Sequence, residues 1–341
     1  MTGTMRAIVL EGKGRLRLAE VPIPEPKKGE ALIRVRACGV CGSDLPRIFG
    51  DIAYFYPLIP GHEFAGEVVT TGSLEDREWI GKRVVVYPLL PCRRCSYCEL
   101  GQYELCENYG YLGSRQNGAF AEYVVAPTAN LLPLPQNLSF EEGALTEPAA
   151  VALHAVRQVG RVLGESAAVF GLGPVGLLVG MWLRLSGVRK LIGYDTDERK
   201  FSLARDVGFD VTLYPSFFPA EPEGIDLVVE ASGNPRAFLD ALKLVRKKGR
   251  VILLGNQEGD VVLSSEDFSR ILRKELVVFG SWNSSFAFLD SDWKKVLDLA
   301  GSGSVSFAPL ISHRVHLEEA PAFLAGMRER RVFYVKVVLI P

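Results

Sequence analysis

No charged side chain occurs between Ser166 and Leu183, a stretch close to the ~20 apolar residues that span a bilayer. Its punctuation argues against a span. Gly171, Gly173, Pro174, Gly176 and Gly180 interrupt it, and it opens on a β-rich run, Ala167–Phe170. A buried strand, a tight turn and a helix over Pro174–Ser186 account for the whole stretch. Past about residue 140 strands and helices take turns, and that alternation points to a parallel sheet covered on both faces in an α/β domain.

The turn Gly171-Leu-Gly173-Pro-Val-Gly176 follows a strand and opens a helix, the context in which a dinucleotide is bound. Gly171 permits the tight turn, Gly173 lets backbone N–H groups approach a pyrophosphate, and Gly176 lets helix and strand pack closely. Glycine spacing alone is weak evidence, because such a segment can be only a turn. The next strand strengthens it: Lys190-Leu-Ile-Gly-Tyr-Asp195 ends on an acid, about 20 residues past the glycines, where a carboxylate accepts hydrogen bonds from ribose hydroxyls. Asp195 would repel a 2′-phosphate, so NAD is expected over NADP. Pro174, Val175, Arg199 and Gly255 complete the expected cofactor set.

The elements around this turn fit a sheet. Ala167–Phe170, Lys190–Tyr194, Asp226–Glu230, Arg250–Leu254 and Leu276–Phe279 read as strands, and Glu198–Val207 and Pro235–Lys247 as helices between them. Upstream, short strands alternate with Gly/Pro turns: Met5–Leu10, Ala31–Ala37, Glu67–Thr70, Arg83–Tyr87 and Tyr123–Ala126. That texture suggests an open barrel or sandwich. Ser139-Phe-Glu-Glu has the pattern of a capping box, opening a helix that Pro148 could break. A helix past residue 290, another around Glu318–Arg330 and a strand over Tyr334–Leu339 close the chain. Lys plus Arg (39) nearly balance Asp plus Glu (40), so no nucleic-acid or anionic-membrane surface is indicated. The first residues contain no apolar run of signal-peptide length, and a cytoplasmic location is the expectation.

The six cysteines all lie in the first third of the chain. Cys92-x2-Cys95-x2-Cys98-x7-Cys106 offers four soft ligands at short spacing, which suits a closed, structural zinc site. Free thiols, disulfides or an iron–sulfur cluster are the other readings of that spacing.

Three further residues have the character of an open metal site: Cys41 in Cys38-Gly-Val-Cys-Gly-Ser-Asp44, His62 in Pro60-Gly-His-Glu-Phe-Ala-Gly66, and Glu147 in Thr146-Glu-Pro148. A mixed sulfur, nitrogen and oxygen set leaves a position for water or substrate. Spacing alone does not join them, and a histidine between Gly and Glu is equally a hydrogen-bonded turn residue.

With the cysteine lobe and Gly171–Gly176, these segments resemble the zinc-containing medium-chain alcohol and polyol dehydrogenases over essentially the whole chain. The resemblance implies a two-domain α/β fold. One part is a GroES-like, β-rich catalytic domain, 1–157 and 291–341, with its structural zinc lobe at about 88–110; the other is a Rossmann NAD-binding domain with a doubly wound parallel sheet, 158–290. It implies two zinc ions per chain. The catalytic one would lie on Cys41, His62 and Glu147, with Glu63 beside it as an alternate ligand. Ser43 matches the proton-relay hydroxyl and Asp44 the carboxylate that orients His62, while Cys38 reads as a packed thiol. Where some relatives extend the relay through a histidine, this chain has Pro46; His154 reads as a packed helix residue.

Within the family the chain is similar to the galactitol-1-phosphate 5-dehydrogenase branch through Cys41-Gly-Ser-Asp-Leu-Pro-Arg-Ile-Phe49, Tyr56-Pro-Leu-Ile-Pro-Gly-His-Glu-Phe64, Gly113-Ser-Arg115 and Gly280-Ser-Trp282. The implied reaction is NAD-linked oxidation of a secondary alcohol in a polyol or polyol phosphate, foremost galactitol 1-phosphate to a keto-hexose phosphate. Free sorbitol or xylitol, diols and L-threonine are alternative substrates; a non-catalytic NAD-binding protein is the alternative of another class. A phosphorylated substrate needs a cationic pocket, for which Arg47 and Arg115 are the candidates, with Arg273 and Lys274 behind them. The family also implies a homodimer or homotetramer.

Overall fold

The computed structural model describes residues 3–216, 218, 224–287 and 289–341. The chain forms two compact units, Met1–Glu147 with Ser285–Pro341, and Pro148–Ser284.

The second unit is built on a six-stranded sheet in the order Asp210–Leu213, Lys190–Asp195, Ser166–Phe170, Ile225–Glu230, Val245–Leu253, Val277–Gly280. Every neighbouring pair is parallel. This is the doubly wound order, whose topological switch lies beside the first strand. Ala167, Ala168 and Val169 are completely buried, as the uncharged run requires. Gly171 turns with φ of +91°, and a Cβ on Gly176 would stand 1.9 Å from the Gly171 carbonyl oxygen, so the helix Pro174–Leu185 can start this close only on glycine. Among the described residues no helix is long and apolar enough to cross a membrane.

Local propensity fails at two places in this unit. The helix expected over Pro235–Lys247 stops at Leu244, because Val245 is drawn into the sheet opposite Ile225. Glu198–Val207 divides into a 3-10 turn, Glu198–Lys200, and a short α-helix, Phe201–Asp206. A helix that sequence reading missed, Ser265–Arg273, is capped by Ser264, whose side chain accepts from the Asp267 N–H.

The first unit contains a seven-stranded, largely antiparallel sheet. Its path runs Ile311–His316, Lys336–Ile340, Glu30–Gly39, Glu63–Thr71, Arg83–Val86, Leu131–Pro133, and Tyr123–Pro127 also pairs with Glu30–Gly39. A hairpin, Thr4–Gly12 with Arg15–Pro22, packs its apolar side into the same core as Ile33, Val35, Val84 and Phe120. Both bonds of the capping box form between Ser139 and Glu142, but the helix they open covers only Phe140–Ala144. The break falls at Leu145. Pro148 instead sits in the first turn of the next helix, Thr146–Gln158, where its missing N–H has no partner to lose. That first turn carries Glu147.

Candidate active site

Strand register explains why distant residues meet. Glu30–Gly39 and Glu63–Thr71 are antiparallel partners with Gly39 opposite Glu63. The chain leaving one strand and the chain entering the other therefore share an end, where Cys41 and His62 lie. One ligand atom each from Cys41, His62 and Glu63 falls within 4.8 Å of the other two. His62 and Glu63 are buried and Cys41 half-buried.

The surroundings hold these groups in place. Ser43 Oγ donates to Cys41 Sγ at 3.3 Å, and the Cys41 backbone N–H donates to Asp44 Oδ2 at 3.0 Å. Asp44 is completely buried; its Oδ1 accepts from Arg47 Nη1 at 3.1 Å and faces His62 Nδ1 at 3.6 Å. Glu147 is buried beside the Cys41–His62–Glu63 set without being one of it, and its Oε1 accepts from Tyr111 OH at 3.0 Å. The Tyr111 ring meets His62 edge-on, centroids 5.5 Å apart. Glu63 is paired with Lys336, whose Nζ also donates to the Val40 carbonyl at 3.0 Å. Cys38 is fully buried, and burial holds its thiol well above the usual range.

The electrostatics favour a cation. Burial alone would lower the His62 pKa, yet Asp44, Cys41 and Glu147 outweigh it and push it up to about 10. Burial, reinforced by Glu63, pushes the Glu147 carboxyl up to about 7 against the opposing influence of His62 and Tyr111. A thiol, an imidazole and carboxylates converging in so negative a pocket are the donor types zinc takes, so the residues fit a single zinc ion.

A second donor set is purely sulfur. Cys92, Cys95, Cys98 and Cys106 place their Sγ atoms within 4.8 Å of one another, with Cys92–Cys98 at 3.9 Å and Cys95–Cys106 at 4.0 Å. A tetrahedron of thiolates at ~2.3 Å from zinc has edges of about 3.8 Å, whereas a disulfide needs ~2.05 Å. All six cysteines are free. Backbone N–H groups, foremost that of Arg94, draw Cys92 down to about 6, while burial pushes Cys98 up to about 12. These opposed thiols fit one shared cation.

In the other unit, Gly171 N–H donates to the Tyr194 carbonyl at 2.8 Å. Asp195 is almost buried: Oδ2 accepts from Leu172 N–H at 2.7 Å and Oδ1 from Asp197 N–H at 2.9 Å. Its charge partner is Lys200, with Nζ 2.9 Å from Oδ2. Arg199, expected in the cofactor set, pairs instead with Asp197. Pro174 and Val175 occupy the first turn of the glycine-loop helix, and Gly255 donates its N–H to Glu230 O at 2.9 Å.

Of the four cations considered for phosphate, Arg47 is committed to Asp44 and the Ser43 carbonyl. Lys274 donates to the Leu242, Lys243 and Val245 carbonyls. Arg115 lies 4.1 Å over the Tyr109 ring and 4.7 Å over that of Tyr54, donating to Tyr109 O and Tyr54 OH at 3.1 Å each. Three residues escaped sequence reading: Tyr111, Lys200 and Lys336. Only Lys336 left a trace, as a lone charge in the apolar run Val335-Lys-Val-Val-Leu339.

Residues 27–136 match the alcohol dehydrogenase GroES-like domain, and residues 174–302 the zinc-binding dehydrogenase family. The chain belongs to the zinc-binding alcohol dehydrogenases, and it is an alcohol or polyol oxidoreductase. More particularly, it is 35% identical to the galactitol 1-phosphate 5-dehydrogenase of Escherichia coli, over 99% of this chain and 100% of that protein. A crystal structure of galactitol-1-phosphate dehydrogenase from Escherichia coli matches it with a TM-score of 0.91 and 33% identity, covering 99% of this chain and 100% of that one. A zinc-binding dehydrogenase from Sinorhizobium meliloti bound to NADP matches with a TM-score of 0.90 and 33% identity, again over 99% and 100%.

Replacing Cys98 by Ala is expected to remove one equivalent of zinc per chain and leave the other. Elemental analysis of the purified variant checks this; full retention of metal would mean the lobe holds none.

Proposed function

We propose that the protein oxidises a secondary alcohol of a polyol phosphate, foremost galactitol 1-phosphate to a keto-hexose phosphate, with NAD and two zinc ions per chain. The observation that carries this reading is the convergence of Cys41, His62 and Glu63, with Glu147 beside them, in a buried negative pocket. Cys41, His62 and Glu147 would hold the catalytic zinc and the four-cysteine lobe the structural one. When bound, the zinc supplies Lewis acidity toward the substrate hydroxyl and the nicotinamide supplies the hydride acceptor.

The chain's own groups do the rest. Asp44 stands 3.6 Å from the His62 Nδ1, where its charge favours a protonated nitrogen on that side of the ring. Tyr111 holds one oxygen of Glu147 by its phenol hydrogen. Ser43 Oγ, next to Cys41 Sγ, takes the substrate's hydroxyl proton and passes it toward solvent. Asp195, anchored at the end of its strand, favours the free ribose hydroxyls of NAD over the 2′-phosphate of NADP. Arg115 supports a phosphorylated substrate. Its guanidinium carbon lies 4.1 Å from the Tyr109 ring centroid and 4.7 Å from that of Tyr54, and Tyr109 in turn contacts Tyr111 with ring centroids 6.4 Å apart. A cation so placed can receive a phosphate at one end of a hexitol while a hydroxyl farther along the chain reaches the Cys41–His62 pocket. The strand Val277–Gly280, last in the parallel sheet, would offer its edge to a second copy in a homodimer or homotetramer.

Glu147→Ala is expected to lower kcat by more than the 10–100-fold that outer partners of metal ligands usually cost, with NADH binding by fluorescence titration unchanged. Near-wild-type turnover in a zinc-verified variant would remove Glu147 from the ligand set. Asp195→Ser is expected to narrow the NAD/NADP ratio of kcat/KM, and an unchanged ratio would assign cofactor choice elsewhere. For Arg115→Ala, losing a charge-assisted contact worth ~1.5–3 kcal/mol is expected to raise KM for the hexitol phosphate roughly 10–100-fold and leave KM for the free hexitol alone. Equal effects on both substrates would end the phosphate assignment.

A further inference from the structure

Lys336 is the least expected charge in the molecule: it is 2% exposed, in a strand otherwise made of Val, Leu and Ile. Burying an ammonium and a carboxylate costs several kcal/mol each, and apolar substitutes of similar volume often cost nothing. A lysine here therefore calls for a reason beyond stability, and its partner suggests one. Lys336 pairs with Glu63, whose carboxylate also lies within ligand distance of Cys41 and His62.

The sheet makes room for this pair. Lys336–Ile340, Glu30–Gly39 and Glu63–Thr71 are consecutive strands, with Val338 opposite Gly39 and Gly39 opposite Glu63. Gly39 lies between the two charges. A Cβ there would stand 2.2 Å from Glu63 Oε2 and 3.0 Å from Lys336 Cε. Any other residue on the middle strand would push ammonium and carboxylate apart. The Val40 carbonyl takes a further Lys336 hydrogen, so the ammonium is tethered to the segment that leads to Cys41.

The other two carboxylates of the pocket are held differently, Glu147 by the Tyr111 hydroxyl. Asp44 is tied by Arg47 from its own helix and by the Cys41 N–H, and it meets His62 at Nδ1. Glu63, by contrast, presents itself to the metal position, and the cation facing it comes from the last strand of the chain. Taking the zinc reading above as its basis, we propose that Lys336 is a positioning residue. It restrains the Glu63 carboxylate against the pull of the catalytic metal, so that a coordination position stays open for the substrate hydroxyl. Without Lys336, Glu63 closes onto the metal as an additional ligand.

The test uses the full-length protein with cobalt(II) in place of zinc, and the Cys41→Ser spectrum is subtracted to remove the contribution of the cysteine lobe. The wild type is expected to show the intense visible bands of four-coordinate cobalt, and Glu63→Gln to leave them unchanged. Lys336→Met is expected to weaken and shift these bands toward a five-coordinate pattern and to slow chelator-driven metal loss relative to the wild type. Both effects should revert in Lys336→Met combined with Glu63→Gln. A spectrum altered by Glu63→Gln alone would show that Glu63 is already a ligand and overturn the proposal, whether or not the lysine variant folds. It is also overturned if Lys336→Met matches the wild type, or if its shift persists in the double variant. A wild type whose cobalt spectrum equals that of Cys41→Ser would instead sink the catalytic-metal reading itself.

Discussion

The pairing register of Glu30–Gly39 with Glu63–Thr71 is the constraint on which the site depends. Register in a sheet carries side-chain facing with it, so a slip of one residue would turn every side chain on a strand to the opposite face. Here two irregularities, between Leu32 and Ile33 and between Val35 and Ala37, precede the end of the pair. They set the phase in which Gly39 faces Glu63, and with it the meeting of Cys41 and His62. The apolar alternation of Ala31, Ile33, Val35 and Ala37 defends that phase, since all four are buried. Core packing thus determines which polar residues reach the end of the strand pair.

Charge compensation follows from the same placement. The pocket gathers Cys41, Asp44, Glu63 and Glu147 around one imidazole, and the carboxylates among them are buried. In a medium of low polarity such a cluster is unstable without cations. Arg47 answers Asp44 from three residues away on one helix, while Lys336 answers Glu63 from the far end of the chain. Glu147 is held by the Tyr111 hydroxyl. The cysteine lobe solves the same problem with backbone N–H groups, which favour the thiolate of Cys92 while burial disfavours that of Cys98.

How much of this was readable from the chain depended on sequence distance. The glycine turn, the capping box and the four-cysteine spacing are local patterns, and each appears in the structure where its spacing placed it. Cys41, His62 and Glu147 were singled out only through resemblance, because no local rule links residues on separate strands and a helix. Lys336, Tyr111 and Lys200 were missed for the same reason: each acts through a partner that sequence spacing does not reveal. Where expectation was wrong in detail, tertiary pairing had overridden propensity, as when Val245 leaves a helical pattern to join Ile225 in the sheet. Arg199 pairs with Asp197, and Lys200 with Asp195.

The cofactor unit shows what a carboxylate at a strand end can do before any ligand arrives. Asp195 spends one oxygen on the Leu172 N–H and the other on the Asp197 N–H, so it pins the glycine turn on one side and its own following loop on the other. Across the switch point, at the end of Ile225–Glu230, Glu230 orders the turn that follows it, accepting from the Ser232 N–H at 2.8 Å and the Gly233 N–H at 3.0 Å. Glycine-rich turns have the most conformational freedom to lose on ordering, and these two acids remove it within the fold. A dinucleotide meeting a turn already ordered does not have to supply that ordering from its own binding energy. Among the described residues, Lys200 donates to both Asp195 oxygens through its side chain, and those hydrogen bonds can rearrange around a ribose without disturbing the turn.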